Sequence, residues 1–283
     1  MLNPSRGTRG MAVAPHSLAA QSARDVLREG GNAVEAMIAA AATIAVVYPH
    51  MNSIGGDSFW LISSPGQAPQ GIDACGAAGE HATSEYYAAR GITDAIPFRG
   101  GVAANTVAGT LSGWQMALEF SRASLGGKFP LARLLEDAIY YAEQGVPVTD
   151  SQFNNTRNKR KDLEQHPGFA ATYLPGGEAP TPGALFRQPR LGATFRALAN
   201  DGLSSFYTGK LARAIADDLT NAGSPVTLGD LHSHQAQWRE PLSLEHSVGT
   251  LYNMPAPTQG VVSLLILGIL DALHIERVDP AGA

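Results

Sequence analysis

Residues 33–47 are the most restrictive stretch of the sequence, because AVEAMIAAAATIAVV is apolar on nearly every side of a helix. Asn32 is a typical N-cap residue, and Pro49 ends the helix after Val47. The run has the length of a buried helix and is too short to span a membrane. A helix without a polar face must be covered on nearly every side. We therefore expect residues 33–47 to lie at the centre of a layered fold.

The neighbouring elements predict helices layered on an antiparallel sheet. Residues 17–28 have an apolar stripe at helical spacing, with Ser17 as the predicted N-cap and two glycines directly after the helix. SFWLIS (58–63) and QGIDAC (70–75) are typical of two strands, and SPGQAP is typical of the hairpin loop between them. This order of elements is typical of an α+β fold.

The rest of the sequence predicts more helices and then strands. TVAGTLSGWQMALEFSRA, LARLLEDAIYYAEQG and PRLGATFRALANDGLSSFYTGKLARAIADDLTNAG have helical periodicity, whereas DLHSHQAQWREPLSLEHSVGTLYNMPAP is strand-like. TQGVVSLLILGIL predicts a second buried helix, capped by Thr258. No repeat or linker divides the sequence, so we expect a single domain over residues 1–283.

Composition and motifs argue against several classes of partner. The net charge is −5 and the 20 Lys and Arg residues are scattered, which argues against nucleic acid. No apolar run reaches the length of a membrane span, so we expect no membrane partner. His232 and His234 form a His-x-His pair without further ligands nearby, which favours a surface turn over a metal site. Phosphate-binding glycine motifs are absent, and we predict no metal and no cofactor. The N-terminus lacks the apolar region of a signal peptide, so we expect a cytoplasmic protein, or a periplasmic one if the true start lies upstream.

Several motifs, in the same order along the chain, resemble the large subunit of the gamma-glutamyltransferase family. GMAVAPHSLAAQSARDVLREGGNAVEAMIAAAATIAVVYPHMNSIGGDSF is similar to the opening of that subunit, in which a GGNAVDAAVA helix leads through a Pro-His pair to a GIGGGGF turn. FYTGKLARAI, WREPL and YNMPAPTQG resemble the family's FYRGPIAEAI, WREPL and YSMPPPSSGG. The resemblance extends over almost the whole chain.

The resemblance implies an N-terminal-nucleophile (Ntn) hydrolase with an α+β fold, a four-layer αββα sandwich whose antiparallel sheets are completed by a downstream small subunit. Such proteins are made as a precursor that cuts itself before a threonine. The threonine hydroxyl becomes the nucleophile, and its freed α-amino group acts as the base. We expect this threonine downstream of Ala283, so that residues 1–283 are the large (alpha) subunit and hold no catalytic residue. The small (beta) subunit is then the partner. The resemblance leaves open whether two such heterodimers form a dimer.

The only cysteine marks a difference from the family's transferases. IDACGAAG (72–79) stands where they have a segment similar to ALDAREAAP, whose arginine pairs with the α-carboxylate of a gamma-glutamyl donor. Asp73 keeps the aspartate, Cys75 takes the place of the arginine and Gly76 that of the glutamate. We therefore expect poor use of glutathione. Cys75 itself is open to three interpretations: a nucleophile with His81 as its base, an inert and partly buried thiol, or part of the lining of a reshaped acyl pocket.

Two further segments hold candidate substrate-binding residues. In SIGGDSFW, Asp57 and Trp60 either narrow the pocket or belong to a structural turn with a packed aromatic. In PAPTQGVV, Thr258 and Gln259 precede a helix N-terminus, where free N–H groups suit an anion. They either cap the helix or contact a substrate carboxylate or amide.

These observations favour an Ntn amidohydrolase acting on a small, oxamate-like amide. Within the family, the chain resembles the oxamate amidohydrolases more than the glutathione-specific transferases. The alternatives are a gamma-glutamyl hydrolase or transferase that takes its carboxylate partner from elsewhere, a cephalosporin or glutaryl acylase-like enzyme, and a non-catalytic homologue that acts as a binding protein.

Overall fold

The computed structural model describes residues 6–274, apart from the side chain of Pro167. The catalytic threonine that we expect downstream of Ala283 lies outside the described residues. The helices are α1 Ser17–Arg28, α2 Ala33–Val47, α3 Ser84–Ala88, α4 Thr110–Ser124, α5 Leu131–Gln144, α6 Asp150–Leu163, α7 Pro167–Tyr173, α8 Pro189–Asp201, α9 Gly209–Asn221, α10 Leu228–Ser233 and α11 Gly260–Ala272. Short 3-10 turns occupy Gly101–Ala103, Pro175–Gly177 and Leu203–Phe206. The strands are β1 Ser58–Ile62, β2 Gln70–Ala74, β3 Val146–Pro147, β4 Leu185–Phe186, β5 Gln237–Arg239, β6 Leu242–His246 and β7 Gly249–Asn253.

Helix α2 is the centre of the helical layer, as its sequence predicts. It packs against α1, α4 and α5, and most of its side chains are buried. Asn32 caps it through hydrogen bonds to Oδ1 from the N–H groups of Val34 and Glu35, both 3.0 Å long. The prediction of a helix covered on nearly every side is confirmed.

The buried carboxylate of Glu35 joins α2 to the segment before α5. Its Oε1 accepts hydrogen bonds of 2.7 Å from the N–H groups of Lys128 and Phe129, and its Oε2 accepts one of 2.9 Å from Asn32 N. The Glu35 side chain is fully buried. Since a buried charge is tolerated only when its acceptor sites are satisfied, these three donors explain an acidic residue within the core.

The main sheet consists of three antiparallel strands in the order β1-β2-β5. The predicted hairpin is confirmed, and its register pairs Ser58 with Ala74 and Ile62 with Gln70. β5 adds to the far side of β2, with Gly71 opposite Arg239. Two further antiparallel pairs, β3-β4 and β6-β7, form separate two-stranded sheets. The predicted α+β class is therefore confirmed.

Three local predictions are wrong, of which two concern helix N-caps and one concerns a secondary-structure element. α1 is capped by His16, whose Nδ1 accepts from Leu18 N at 3.2 Å, and Ser17 is the first helical residue. The N-cap of α11 is Gln259, and the Thr258 hydroxyl accepts from Gly260 N at 3.0 Å. The start of the strand-like segment at residue 230 belongs to α10, because Thr227 and Asp230 form a capping box there.

Helix α11 is not buried by the described part of the chain, contrary to its apolar sequence. Of its side chains only Leu264 is buried, while Leu265, Ile266 and Ile269 are more than half exposed. Among the described elements, α11 packs mainly against the β6-β7 hairpin. An exposed apolar surface of this size is typical of an interaction site.

None of the helices within residues 6–274 combines the length and the hydropathy that a membrane span requires.

Candidate functional site

Four of the predicted site residues meet at the end of β2, and we call Asp57, Asp73, Cys75 and Gly76 the Cys75 cluster. Asp73 Oδ1 accepts a hydrogen bond of 3.0 Å from Cys75 N, and Asp57 Oδ1 accepts one of 3.0 Å from Gly76 N. The Cys75 thiol contacts Asp57 Oδ2 at 3.5 Å. Two carboxylates thus hold the turn that follows β2.

The hairpin register brings this cluster together. β1 begins at Ser58 opposite Ala74, so Asp57 lies beside Cys75 when the register continues by one residue. Gly76 then passes directly under a neighbouring segment, because a Cβ at this position would lie 1.6 Å from the carbonyl oxygen of Val107. Only glycine can occupy this place without a shift of the backbone.

The Cys75 thiol is half-buried and held in its neutral form. Burial, followed by the negative charge and hydrogen bond of Asp57 and the charge of Asp73, raises its pKa to about 11. A thiol with such a pKa is a poor nucleophile near neutral pH, because the thiolate is the reactive form. This environment agrees with an inert thiol, and a binding role for Cys75 stays a prediction.

Strand alternation divides the other candidates between the two faces of the main sheet. Trp60 is paired with the fully buried Ile72, and both lie on the face that packs against the helices. Asp73 is paired with Phe59 on the opposite face. We call this opposite side the open face, and its side chains are those of Phe59, Leu61, Asp73, Gln237 and Arg239. The structure therefore separates Trp60 from the Cys75 cluster.

Thr258 and Gln259 lie towards the other end of β2. The Thr258 hydroxyl donates to Met254 O at 2.8 Å. Met254 covers Gly71, because a Cβ at Gly71 would lie 2.6 Å from its sulfur atom. No hydrogen bond or ion pair among residues 6–274 joins Thr258 or Gln259 to the Cys75 cluster. Their assignment as binding residues stays a prediction.

The residue that sequence reasoning missed at this site is Arg239. Its Nε lies 3.5 Å from Asp73 Oδ2, although the two residues are far apart in sequence. The segment between Met51 and Tyr86 has no arginine, but β5 brings one next to the cluster from outside it. Arg239 belongs to the WREPL motif, which was the available signal, but the pairing of β5 with β2 is not visible in the sequence.

His234 is a second residue that the sequence analysis placed incorrectly, because it is not in a surface turn. It follows α10 and its Nε2 is buried without a hydrogen-bond partner among residues 6–274. A Cβ at Gly109 would lie 3.0 Å from that atom and 2.1 Å from Ala74 O. Burial lowers the pKa of His234, against the opposing effect of Asp57 and Asp73. The imidazole therefore lies behind the backbone of the Cys75 cluster, while His232 is exposed.

A cavity of about 370 Å³ adjoins His234, and no member of the Cys75 cluster lines it. Its lining includes Gln115, Glu119, Tyr207, His232 and His234. Within residues 6–274, no group of three or more His, Cys, Asp or Glu side chains has the arrangement needed to hold a metal ion.

Comparison with known proteins gives consistent matches over most of the chain. The family described as Gamma-glutamyltranspeptidase matches residues 19–283. The oxamate amidohydrolase proenzyme of Klebsiella pneumoniae is 57% identical over 97% of this chain and 51% of its own length. The glutathione hydrolase-like YwrD proenzyme of Bacillus subtilis is 37% identical over 96% of this chain and 51% of its own length. The chain thus spans about half the length of these curated relatives.

The fold matches a solved structure closely. The crystal structure of Helicobacter pylori gamma-glutamyltranspeptidase superposes with a TM-score of 0.90 and 25% sequence identity, over 99% of this chain and 80% of that chain.

Proposed function

The chain belongs to the gamma-glutamyltranspeptidase family, and from this premise we propose that residues 1–283 form the large-subunit domain of a self-cleaving amidohydrolase. Its fold is the α+β Ntn-hydrolase fold that the motifs predict. The substrate in this proposal is a small, oxamate-like amide. The nucleophile is the N-terminal threonine of a small subunit cut from the same precursor.

The observation that carries the proposal is the Cys75 cluster. At the position where the family's transferases place a carboxylate-binding arginine, this chain has a neutral thiol between two carboxylates. An α-carboxylate placed there would meet repulsion from Asp57 and no cationic partner from Cys75. A smaller substrate whose carboxylate lies away from Asp57 avoids that repulsion. The 57% identity to an oxamate amidohydrolase proenzyme supports the same substrate class.

The proposed reaction is acyl transfer to water. The threonine oxygen bonds to the amide carbon, the C–N bond breaks, and the nitrogen leaves as ammonia with the proton that the α-amino base has taken from the hydroxyl. Water then adds to the acyl carbon, the ester bond breaks, and the acid and the free hydroxyl are formed. For oxamate the products are oxalate and ammonia.

The exposed helix α11 supports the proposed small-subunit partner. Leu265, Ile266 and Ile269 leave a large apolar surface in contact with solvent. The open face of the main sheet carries two more exposed apolar side chains, Phe59 and Leu61. A small subunit that adds strands and packs on these surfaces would complete the sandwich.

The test uses the full-length precursor and two substrates in parallel. We expect ammonia release from oxamate and little release of p-nitroaniline from a gamma-glutamyl anilide. Efficient turnover of the anilide without oxamate hydrolysis would instead support a gamma-glutamyl enzyme. A precursor in which the residue after the cleavage site is replaced by alanine serves as the inactive control. A mass spectrum that shows one intact polypeptide for the wild type would favour the non-catalytic homologue.

A further inference from the structure

Arg239 presents unused hydrogen-bond donors on the open face of the main sheet. It is the last residue of β5, its side chain is 48% exposed, and its one ion pair joins Nε to Asp73 Oδ2 at 3.5 Å. The two terminal nitrogens, Nη1 and Nη2, have no hydrogen-bond partner within residues 6–274. A guanidinium has five N–H donors in a planar fork, and this contact engages its Nε side alone.

Asp73 provides a fixed point for this arginine. Its other oxygen, Oδ1, accepts from Cys75 N, and its side chain is only 13% exposed. Asp73 is therefore oriented by the backbone of the cluster, and Arg239 lies at ion-pair distance from it without a hydrogen bond. Within residues 6–274 the outer edge of the guanidinium is free for a planar anion.

Arg239 also offsets the negative charge of the Cys75 cluster. Among the ion pairs of residues 6–274, only the contact between Asp73 and Arg239 involves a member of that cluster. Asp57 has no cationic partner in this part of the chain, and the thiol of Cys75 is neutral. An anionic substrate that approaches this end of the sheet therefore needs Arg239 to be bound favourably.

We propose that Arg239 binds the substrate carboxylate through its terminal nitrogens. This inference rests on the proposed function and refines it. Oxamate has a carboxylate directly bonded to the carbon of a primary amide, so one bidentate contact fixes the position of the reacting carbon as well. Arg239 thus takes part in substrate binding from a strand distant in sequence from the Cys75 segment.

The experiment compares Arg239→Gln, Arg239→Lys and the wild type in the full-length precursor. Self-cleavage is measured by mass, and ammonia release is measured with oxamate and with oxamide, in which an amide replaces the carboxylate. For Arg239→Gln we expect kcat/KM for oxamate to fall about 30-fold or more, mainly through KM, and for oxamide to change less than about threefold. Arg239→Lys keeps the positive charge but lacks the planar guanidinium. Its kcat/KM for oxamate should therefore lie between those of Arg239→Gln and the wild type.

Inhibition by oxalate gives a readout that does not depend on oxamide turnover. We expect its inhibition constant to rise at least about tenfold in Arg239→Gln. Arg196→Gln is the matched control, because Arg196 is also a half-exposed arginine paired with one carboxylate, that of Glu143. Arg196→Gln should leave kcat/KM for both amides and the inhibition constant of oxalate unchanged.

The outcomes separate the inference from the proposed function. Equal losses for oxamate and oxamide, or an unchanged constant for oxamate, would overturn the role of Arg239 while the wild type stays an oxamate hydrolase. A wild type that hydrolyses no oxamate would overturn the proposed function and the inference with it. If Arg239→Gln is not processed, the ratio of oxamate to oxamide turnover in Arg239→Lys decides, and it must fall at least about fivefold.

Discussion

The carboxylate of Asp57 accepts a hydrogen bond of 3.0 Å from the backbone N–H of Gly76, across the mouth of the β1-β2 hairpin. The same carboxylate lies 3.5 Å from the thiol of Cys75. One side chain therefore holds the turn after β2 and adds to burial, the larger cause, in raising the pKa of the neighbouring thiol.

This double contact predicts how Cys75 responds to Asp57→Asn. Burial and then the charge of Asp57 raise the pKa of Cys75 to about 11, so removal of the charge should lower that pKa. We expect iodoacetamide to alkylate the variant at least about threefold faster at pH 8.5. In the wild type, the rate should keep rising up to pH 11. Alkylation in urea, where both proteins expose the thiol, is the control, and equal rates in the folded proteins would contradict the prediction.

Cys75→Ala should not abolish activity. Within residues 6–274 the neutral thiol has no histidine or amine as a hydrogen-bond partner, and its polar neighbours are the weakly basic carboxylate of Asp57 and the carbonyl oxygen of Gly76. We expect the full-length variant to cleave itself and to keep turnover within about fivefold of the wild type, since only packing at a half-buried site changes. Mass spectrometry reports cleavage and ammonia release reports turnover. Complete loss of turnover in a cleaved, folded variant would make Cys75 a participant in the chemistry.

Gly76→Ala should be severely destabilising. The added Cβ would lie 1.6 Å from Val107 O, and both segments are held by backbone hydrogen bonds, including one of 3.0 Å from Val107 N to Ala77 O. We expect a loss of about 3 kcal/mol or more in the free energy of unfolding, measured in urea.

Gly168→Ala is the matched control for this substitution. Gly168 lies within α7 and has no atom within 4 Å of an added Cβ. Alanine there should be neutral or stabilising by up to about 1 kcal/mol, because it favours the helix. Equal effects of the two substitutions would contradict the close approach at Gly76.

Glu35→Ala should destabilise the helical core. It removes the buried acceptor for three partly buried backbone N–H groups, those of Asn32, Lys128 and Phe129. Buried donors without a partner cost about 1–3 kcal/mol each, so we expect a loss of about 3–5 kcal/mol in the free energy of unfolding. Glu136→Ala, at an exposed glutamate in a 3.6 Å ion pair, should change it by less than about 1 kcal/mol. A loss below about 1 kcal/mol for Glu35→Ala would mean that water satisfies these donors.

Predictions from the sequence succeeded where the signal is local. The periodicity of residues 33–47, the capping by Asn32 and the hairpin around residues 64–69 each depend on neighbours within a few positions, and the structure has all of them. The failures at Ser17 and Thr258 are shifts of one residue, because two adjacent polar side chains compete for the same helix end.

The amino-acid sequence by itself determined the family, the central buried helix and the position of Cys75 at the end of β2, since motif order, periodicity and hairpin chemistry are properties of short segments. Only the tertiary structure decided which side chains share a face. Pairing of β5 with β2 brings Arg239 to Asp73, and packing after α10 buries His234. The apolar sequence of α11 predicts burial, yet the described chain leaves it exposed. Burial depends on what packs against an element, and an element's own sequence does not record its neighbour.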